Sequence, residues 1–202
     1  MIDLIPADFS EIYLLPVALI VLLLLWLIVR ARRGRARSLA HALDKIAFER
    51  IEDLVIPSAD GGEIQIDYLL LTAQGLLIID IKDFNGAVFG SDKMQDWTVI
   101  SDKHRFTFAN PQPALCDRIA AVRQIVRQVP VAGRIVFLDG ASFTKGVPAL
   151  VSSLDDLIDE FVEQDKAAAK VNIEAFIPHW ELIHAKADLS VARGRKRKRP
   201  RL

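Results

Sequence analysis

Two carboxylates and a lysine interrupt a stretch that is otherwise apolar. The segment Gly75-Leu76-Leu77-Ile78-Ile79-Asp80-Ile81-Lys82 reads as a strand broken by two charges. Side chains alternate along a strand, so Asp80 and Lys82 share one face while Ile79 and Ile81 share the other. The preceding run, EIQIDYLLLT, carries Asp67 between Ile66 and Tyr68, and only Ala73 and Gln74 separate the two runs. A two-residue loop at Ala73-Gln74 pairs Thr72 with Gly75 and sets Asp67 directly opposite Asp80. A loop at Gln74-Gly75 instead sets Asp67 opposite Lys82 and diagonal to Asp80. In both registers the three charges converge on one face, with opposed Cβ atoms about 4.5–5.5 Å apart. A three-residue loop breaks that convergence by setting Asp67 opposite Ile81.

Unpaired charge is expensive to bury, so this cluster requires a physical account. In one account Lys82 neutralises Asp67 and Asp80 in a structural ionic cluster. In the other, the carboxylates hold a magnesium or manganese ion. Hard cations prefer carboxylate oxygens and water, and one or two carboxylates are typical of magnesium beside a phosphate. Such a metal polarises a phosphoryl oxygen and lowers the pKa of a bound water, while Lys82 positions that water or stabilises developing charge. The residues by themselves leave both accounts open. Elsewhere, His41, His104, His179 and His184 lack metal-site spacing with cysteine. Cys116 reads as a small buried hydrophobe and Trp97 as core. Gly61-Gly62 is not followed by a helix, which excludes a phosphate-cradling loop.

The hairpin needs a scaffold. Ser38 can cap a helix running to about Leu54, with Leu39, Leu43, Ile46, Ala47, Ile51 and Leu54 on one stripe. Residues 57–62 (PSADGG) read as a turn, and Asp83-Phe84-Asn85-Gly86 as another. Short strands are expected around 87–89, 97–101 and 105–108. A helix opens near Pro113 and ends before Pro130, with Leu115, Ile119, Val122 and Val126 on its apolar face. A buried strand covers 134–138. A helix over 154–161 is capped by Ser152 or Ser153, and a last helix covers about 172–185. This order predicts an α/β fold, a mixed central sheet flanked by helices.

At the N-terminus, residues 12–29 carry no charge. As a helix the run spans roughly 27 Å, close to a bilayer's hydrocarbon core, and it reads as a single transmembrane helix. Its acidic start (Asp3, Asp8, Glu11) and its direct passage into Arg30, Arg32, Arg33, Arg35 and Arg37 fit an anchor better than a cleaved signal. Those arginines predict an outside N-terminus and a cytoplasmic soluble domain at the cell membrane. A lone cysteine forms no intrachain disulfide, in keeping with a reducing compartment. The expected organisation is therefore an external segment 1–11, a span 12–29, a basic segment 30–37, a folded domain 38–187 and a disordered basic tail 188–202. The net charge of zero conceals segregation: residues 38–192 hold 14 bases against 23 acids, a net −9. In the tail, Arg193, Arg195, Lys196, Arg197, Lys198 and Arg199 are candidates for nucleic-acid contact, against a plainly solvated end.

Taken in order, Asp60-Gly61-Gly62-Glu63-Ile64-Gln65-Ile66-Asp67-Tyr68, the run 75–82, Gly86, Trp97 and Asn110-Pro111 resemble the nuclease-related NERD domain over roughly residues 40–161. That resemblance implies the PD-(D/E)XK superfamily, with its restriction-endonuclease-like fold. It makes Asp67 the first acid, Asp80 the second and Lys82 the lysine, and it adds Glu49 as the acid of the preceding helix. It implies a metal held by Asp67, Asp80 and the Ile81 backbone carbonyl. The chain departs from the pattern at Ala47-Phe48, where a glycine precedes the helix acid. It departs again at Asp80, more often Glu, and at Ala114, where a polar Gln is usual. The expectation is a membrane-tethered, metal-dependent nuclease acting on DNA or RNA; the alternative is a non-catalytic module of the same fold that recruits nucleic acid or protein.

Overall fold

The computed structural model describes the backbone of residues 8–57, 62–102, 104–163 and 165–197, and their side chains except for 8–16, 28, 31, 32, 36, 166 and 188–197. The chain divides into two units, Met1–Ser38 and Leu39–Leu202. Helix α1 (Asp8–Ile46) makes up the described part of the first unit. There the large apolar side chains from Leu19 to Leu27 are all exposed, and the Arg30 guanidinium lies 5.3 Å from the centre of the Trp26 ring. Among the described residues, no helix is long and apolar enough to cross a membrane. The span expected over 12–29 is therefore not found there, and the side chains of 12–16 and 28 lie outside the described set.

In the second unit, α1 stops at Ile46 and the chain enters strand β1 (Glu49–Pro57), where the sequence predicted continued helix to Leu54. The reason is non-local. The next strand, β2 (Glu63–Thr72), would otherwise leave one row of backbone groups unpaired, and buried backbone groups must be paired. Antiparallel β1 supplies the partners, beginning with Phe48 N–H donating to the Leu71 carbonyl at 2.7 Å. The run Leu54-Val55-Ile56 suits a half-buried pleat. Of the turn expected at 57–62, residues 58–61 lie outside the described set.

Strand β3 (Gly75–Lys82) follows β2 through a two-residue turn. Then come β4 (Gly86–Phe89), β5 (Asp96–Ile100), β6 (Arg105–Ala109), helix α2 (Pro111–Ile125), β7 (Val131–Phe137), β8 (Ala141–Phe143), β9 (Val151–Ser152), helix α3 (Leu154–Phe161) and helix α4 (Lys166–Arg197). The single central sheet that was expected is instead two mixed sheets, ordered β1-β2-β3-β7-β9 and β6-β5-β4-β8. Helix α4 starts earlier than 172 and runs past Ala185 to Arg197, so residues 188–197 continue a helix rather than a separate irregular tail.

Strand β3 is buried on both faces, which explains its nearly unbroken apolar sequence. One face joins Leu76 and Ile78 to Leu115 and Val122 of α2, to Val88, Trp97 and Val99 of the second sheet, and to Trp180 and Ile183 of α4. The other joins Leu77 and Ile79 to Leu39, Leu43 and Ile46 of α1 and to Leu157 and Phe161 of α3. Cys116 is exposed, contrary to the sequence reading: it follows Leu115 by one residue and so turns off the buried stripe of α2. The β2–β3 hairpin tip is clamped from two sides. Gln74 Nε2 donates to the Glu160 carbonyl at 2.8 Å, and Asn172 Nδ2 to the Ala73 carbonyl at 3.1 Å.

Gly75 holds the register of this hairpin. Its φ is +126°, and a Cβ there would meet the Pro130 carbonyl oxygen at 2.3 Å. Gly75→Ala should therefore lower stability by about 3 kcal/mol or more, through both a strained φ and a backbone clash. Gly146→Ala, at φ +92° but in open space, should cost about 1 kcal/mol. Urea unfolding of the two variants measures the contrast, and equal midpoints would remove Gly75 from this role.

Candidate functional site

The structure selects one of the two convergent registers. Thr72 pairs with Gly75 and Tyr68 with Ile79, so Asp67 comes opposite Asp80. The ladder ends there. One step past Tyr68 the strands part, and the Asp67 side chain enters the gap, its Oδ2 accepting from Ile81 N–H at 3.2 Å.

The parting coincides with a slip of face in β2. Ile64 and Ile66 pack in the same core cluster as Leu69 and Leu71, whereas strict alternation would put Ile66 and Leu69 on opposite faces. Strand β1 slips at the same level, between Ile51 and the pair Leu54 and Ile56. Pairing continues on either side, Glu52 with Tyr68 and Leu54 with Ile66, which leaves Asp53 opposite Asp67. Asp53 has φ +51°, a left-handed conformation that Asp tolerates better than most residues. Asp67 is thus turned into the gap between β2 and β3 rather than aligned on a common face with Asp80 and Lys82.

Asp80 is 4% exposed. Lys82 Nζ donates to its Oδ1 at 2.6 Å, and the Arg118 guanidinium to its Oδ2 at 3.5 Å. Arg118 also donates through Nε to the Gln65 carbonyl at 2.7 Å, so one side chain ties α2 to β2 and β3 together. Helix α2 is set by its own start: Asn110 accepts from Gln112 N–H as the cap and donates to the Met94 carbonyl at 2.9 Å. Sequence reasoning missed Arg118. The signal was present, since Arg118 lies one helical turn beyond Ala114, where the family usually has Gln, on the same face of the helix.

Glu49 is not in the site. It begins β1 opposite Leu71, four pairs away from Asp67, or roughly 13 Å along the strand. It accepts instead from Trp180 Nε1 at 2.6 Å and helps to fasten α4. Because α1 ends at Ile46, no helix brings this acid toward the hairpin. The side chains of Arg193, Arg195, Lys196 and Arg197 lie outside the described residues, as do Lys198 and Arg199 entirely.

Among the described residues there is no group of three or more His, Cys, Asp or Glu that could hold a metal. What the hairpin offers is two carboxylates in register and the Ile81 carbonyl, which in an extended strand faces the same edge as the Ile81 N–H held by Asp67. That small oxygen set matches magnesium, which keeps several waters and takes one or two carboxylates beside a phosphate. It does not match a dedicated all-protein cage.

Burial pushes the Asp80 carboxyl above its ordinary value; the bonds and charges of Lys82 and Arg118 oppose the shift, and Asp67 adds to it. A carboxyl raised in this way contributes stability that is fully present below its unfolded value near 3.8 and is lost as pH rises through the folded value. Stability of the metal-free protein should therefore fall relative to Asp80→Asn as pH rises from about 3.8, by at most about 1.4 kcal/mol per unit. Chemical unfolding of both proteins across that range gives the slope, and a difference of opposite sign would mean that the ion pairs outweigh burial.

The family model of the nuclease-related domain, NERD, matches residues 31–138. An uncharacterized protein of Bacillus anthracis is 23% identical over 99 residues, 49% of this chain and 47% of its own length. The chain thus spans about half the length of that curated relative. No solved structure matches. Asp67, Asp80, Lys82 and Arg118 all fall inside the matched stretch, which covers more than half of the sequence, and the chain belongs to the nuclease-related domain family.

Proposed function

We propose that this protein is a metal-dependent nuclease of the restriction-endonuclease-like type that hydrolyses phosphodiester bonds of DNA or RNA. The observation that carries the reading is the buried Asp80, held between Lys82 and Arg118 with Asp67 opposite it where the strands part. Asp67, Asp80 and the Ile81 carbonyl would hold magnesium or manganese. When bound, that ion supplies Lewis-acid polarisation of the phosphoryl oxygen and a water of lowered pKa. Lys82 and Arg118 are the donors at hand for charge that develops on the phosphate, and Lys82 is also placed to orient the attacking water. Breaking the P–O bond leaves one phosphate end and one hydroxyl end.

Thermal melts and a cleavage assay on labelled DNA and RNA test this together. Millimolar magnesium should raise the melting temperature of wild type but not of Asp80→Asn, and Lys82→Ala should lower the turnover rate about 100- to 1,000-fold while remaining folded. The alternative is a non-catalytic module of the same fold. It is favoured by the fact that both Asp80 oxygens are already engaged by cations. A wild type indifferent to both metals, with no cleavage, would leave that reading standing.

The protein is further proposed to be tethered to the cell membrane, with its N-terminus outside and the nuclease-related domain in the cytoplasm. Support comes from the uncharged run 12–29 followed by five arginines, and from apolar side chains exposed all round α1 between Leu19 and Leu27. A helix apolar on every side suits hydrocarbon surroundings. The basic residues 193–199 are proposed to add phosphate contacts. A reporter active only outside the cytoplasm, fused at Leu202, should stay silent; activity there would reverse the orientation.

A further inference from the structure

An aromatic cluster follows Lys82 in the chain and reaches the surface at Phe106. Phe84 follows Lys82 by two residues, a reach of at most roughly 7 Å, and its ring centre lies 5.0 Å from those of both Phe106 and Phe108. Phe137, the register partner of Lys82 on β7, lies 6.1 Å from Phe84. Phe84 and Phe108 pack on the buried core. Phe106 does not belong to that core: it is 41% exposed, on the outermost strand of the second sheet, with Phe84 set edge-on against it. Lys82 and Arg118, at 24% and 23% side-chain exposure, are still within reach of solvent.

We infer that Phe106, backed by Phe84 and Phe108, is a stacking platform for a base of single-stranded nucleic acid whose phosphates run toward Lys82 and Arg118. The substrate class rests on the nuclease reading above; the platform rests on the rings. An exposed ring that packs on Phe84, two residues past Lys82, suits a ligand that alternates flat apolar bases with negative phosphates. Every base has a π-face, so such stacking is tolerant of sequence. In a duplex those faces are covered by neighbouring pairs, so the platform selects unpaired strands.

The test uses full-length protein, short fluorescent oligonucleotides and EDTA, so that binding is read without turnover. Phe106→Ala should weaken single-strand binding roughly 5- to 150-fold, the stacking contribution of one base. Phe106→Trp should preserve it, and the salt dependence should be unchanged in both because no phosphate contact is lost. Binding of the matching duplex should not move. Undiminished single-strand binding by Phe106→Ala would overturn the proposal. So would a wild-type self-association abolished by that substitution, which would assign the ring to an interface between copies. The two readings fail separately. Binding that depends on Phe106 without any metal-dependent cleavage would sink the nuclease and keep the platform, whereas Asp80-dependent cleavage with Phe106-independent binding would do the reverse.

Discussion

A carboxylate buried in the middle of an apolar sheet governs this structure. Asp80 sits in β3, the strand that both core clusters share, and little of it reaches water. Desolvation of such a group costs several kcal/mol unless charges and hydrogen bonds offset it. Here the offset comes from two cations of different origin. Lys82 is local, two residues along the same strand, whereas Arg118 comes from a helix 38 residues away. Placing α2 against the hairpin is thus tied to the solvation of one side chain.

The same region is where regular sheet geometry gives way. Strands β1 and β2 change face together at Asp53 and Asp67, and β2 leaves β3 at the same level. A regular ladder would have aligned Asp67 and Asp80 closely on one face, with like charges opposed and destabilising. The slip turns Asp67 into the gap, where it accepts the Ile81 N–H that the ladder no longer pairs. One deviation therefore takes Asp67 off the face it would share with Asp80 and satisfies the backbone donor that the parted ladder leaves.

Family membership and local chemistry meet at Arg118. The matched stretch contains the acid pair and the lysine, while the helix that follows Asn110-Pro111 carries Ala114 at one position and Arg118 one turn later. A guanidinium at that place binds a carboxylate and a backbone carbonyl together, which a neutral amide would do without charge. The second helix of this domain thus contributes a cation to the surroundings of Asp80.

Much of this was legible in the residues, and the division follows the range of the forces. The two hairpin strands, the shared face of Asp80 and Lys82, the core position of Trp97 and the serine-capped helix Leu154–Phe161 all follow from local rules. Alternation, turn chemistry and capping act within a few residues, so the sequence alone determines them. Tertiary structure decided the rest. The choice between two registers goes with tertiary contacts at the hairpin tip, where Gly75 lies against the Pro130 carbonyl and Gln74 and Ala73 bond to α3 and α4. Residues 49–57 became strand because β2 needed a partner along its open edge, and that removed Glu49 from the site and gave it to Trp180. Arg118 gained its role only when α2 docked. These outcomes depend on which buried polar groups find partners across the whole fold, a condition set by distant segments and invisible to any short window of sequence.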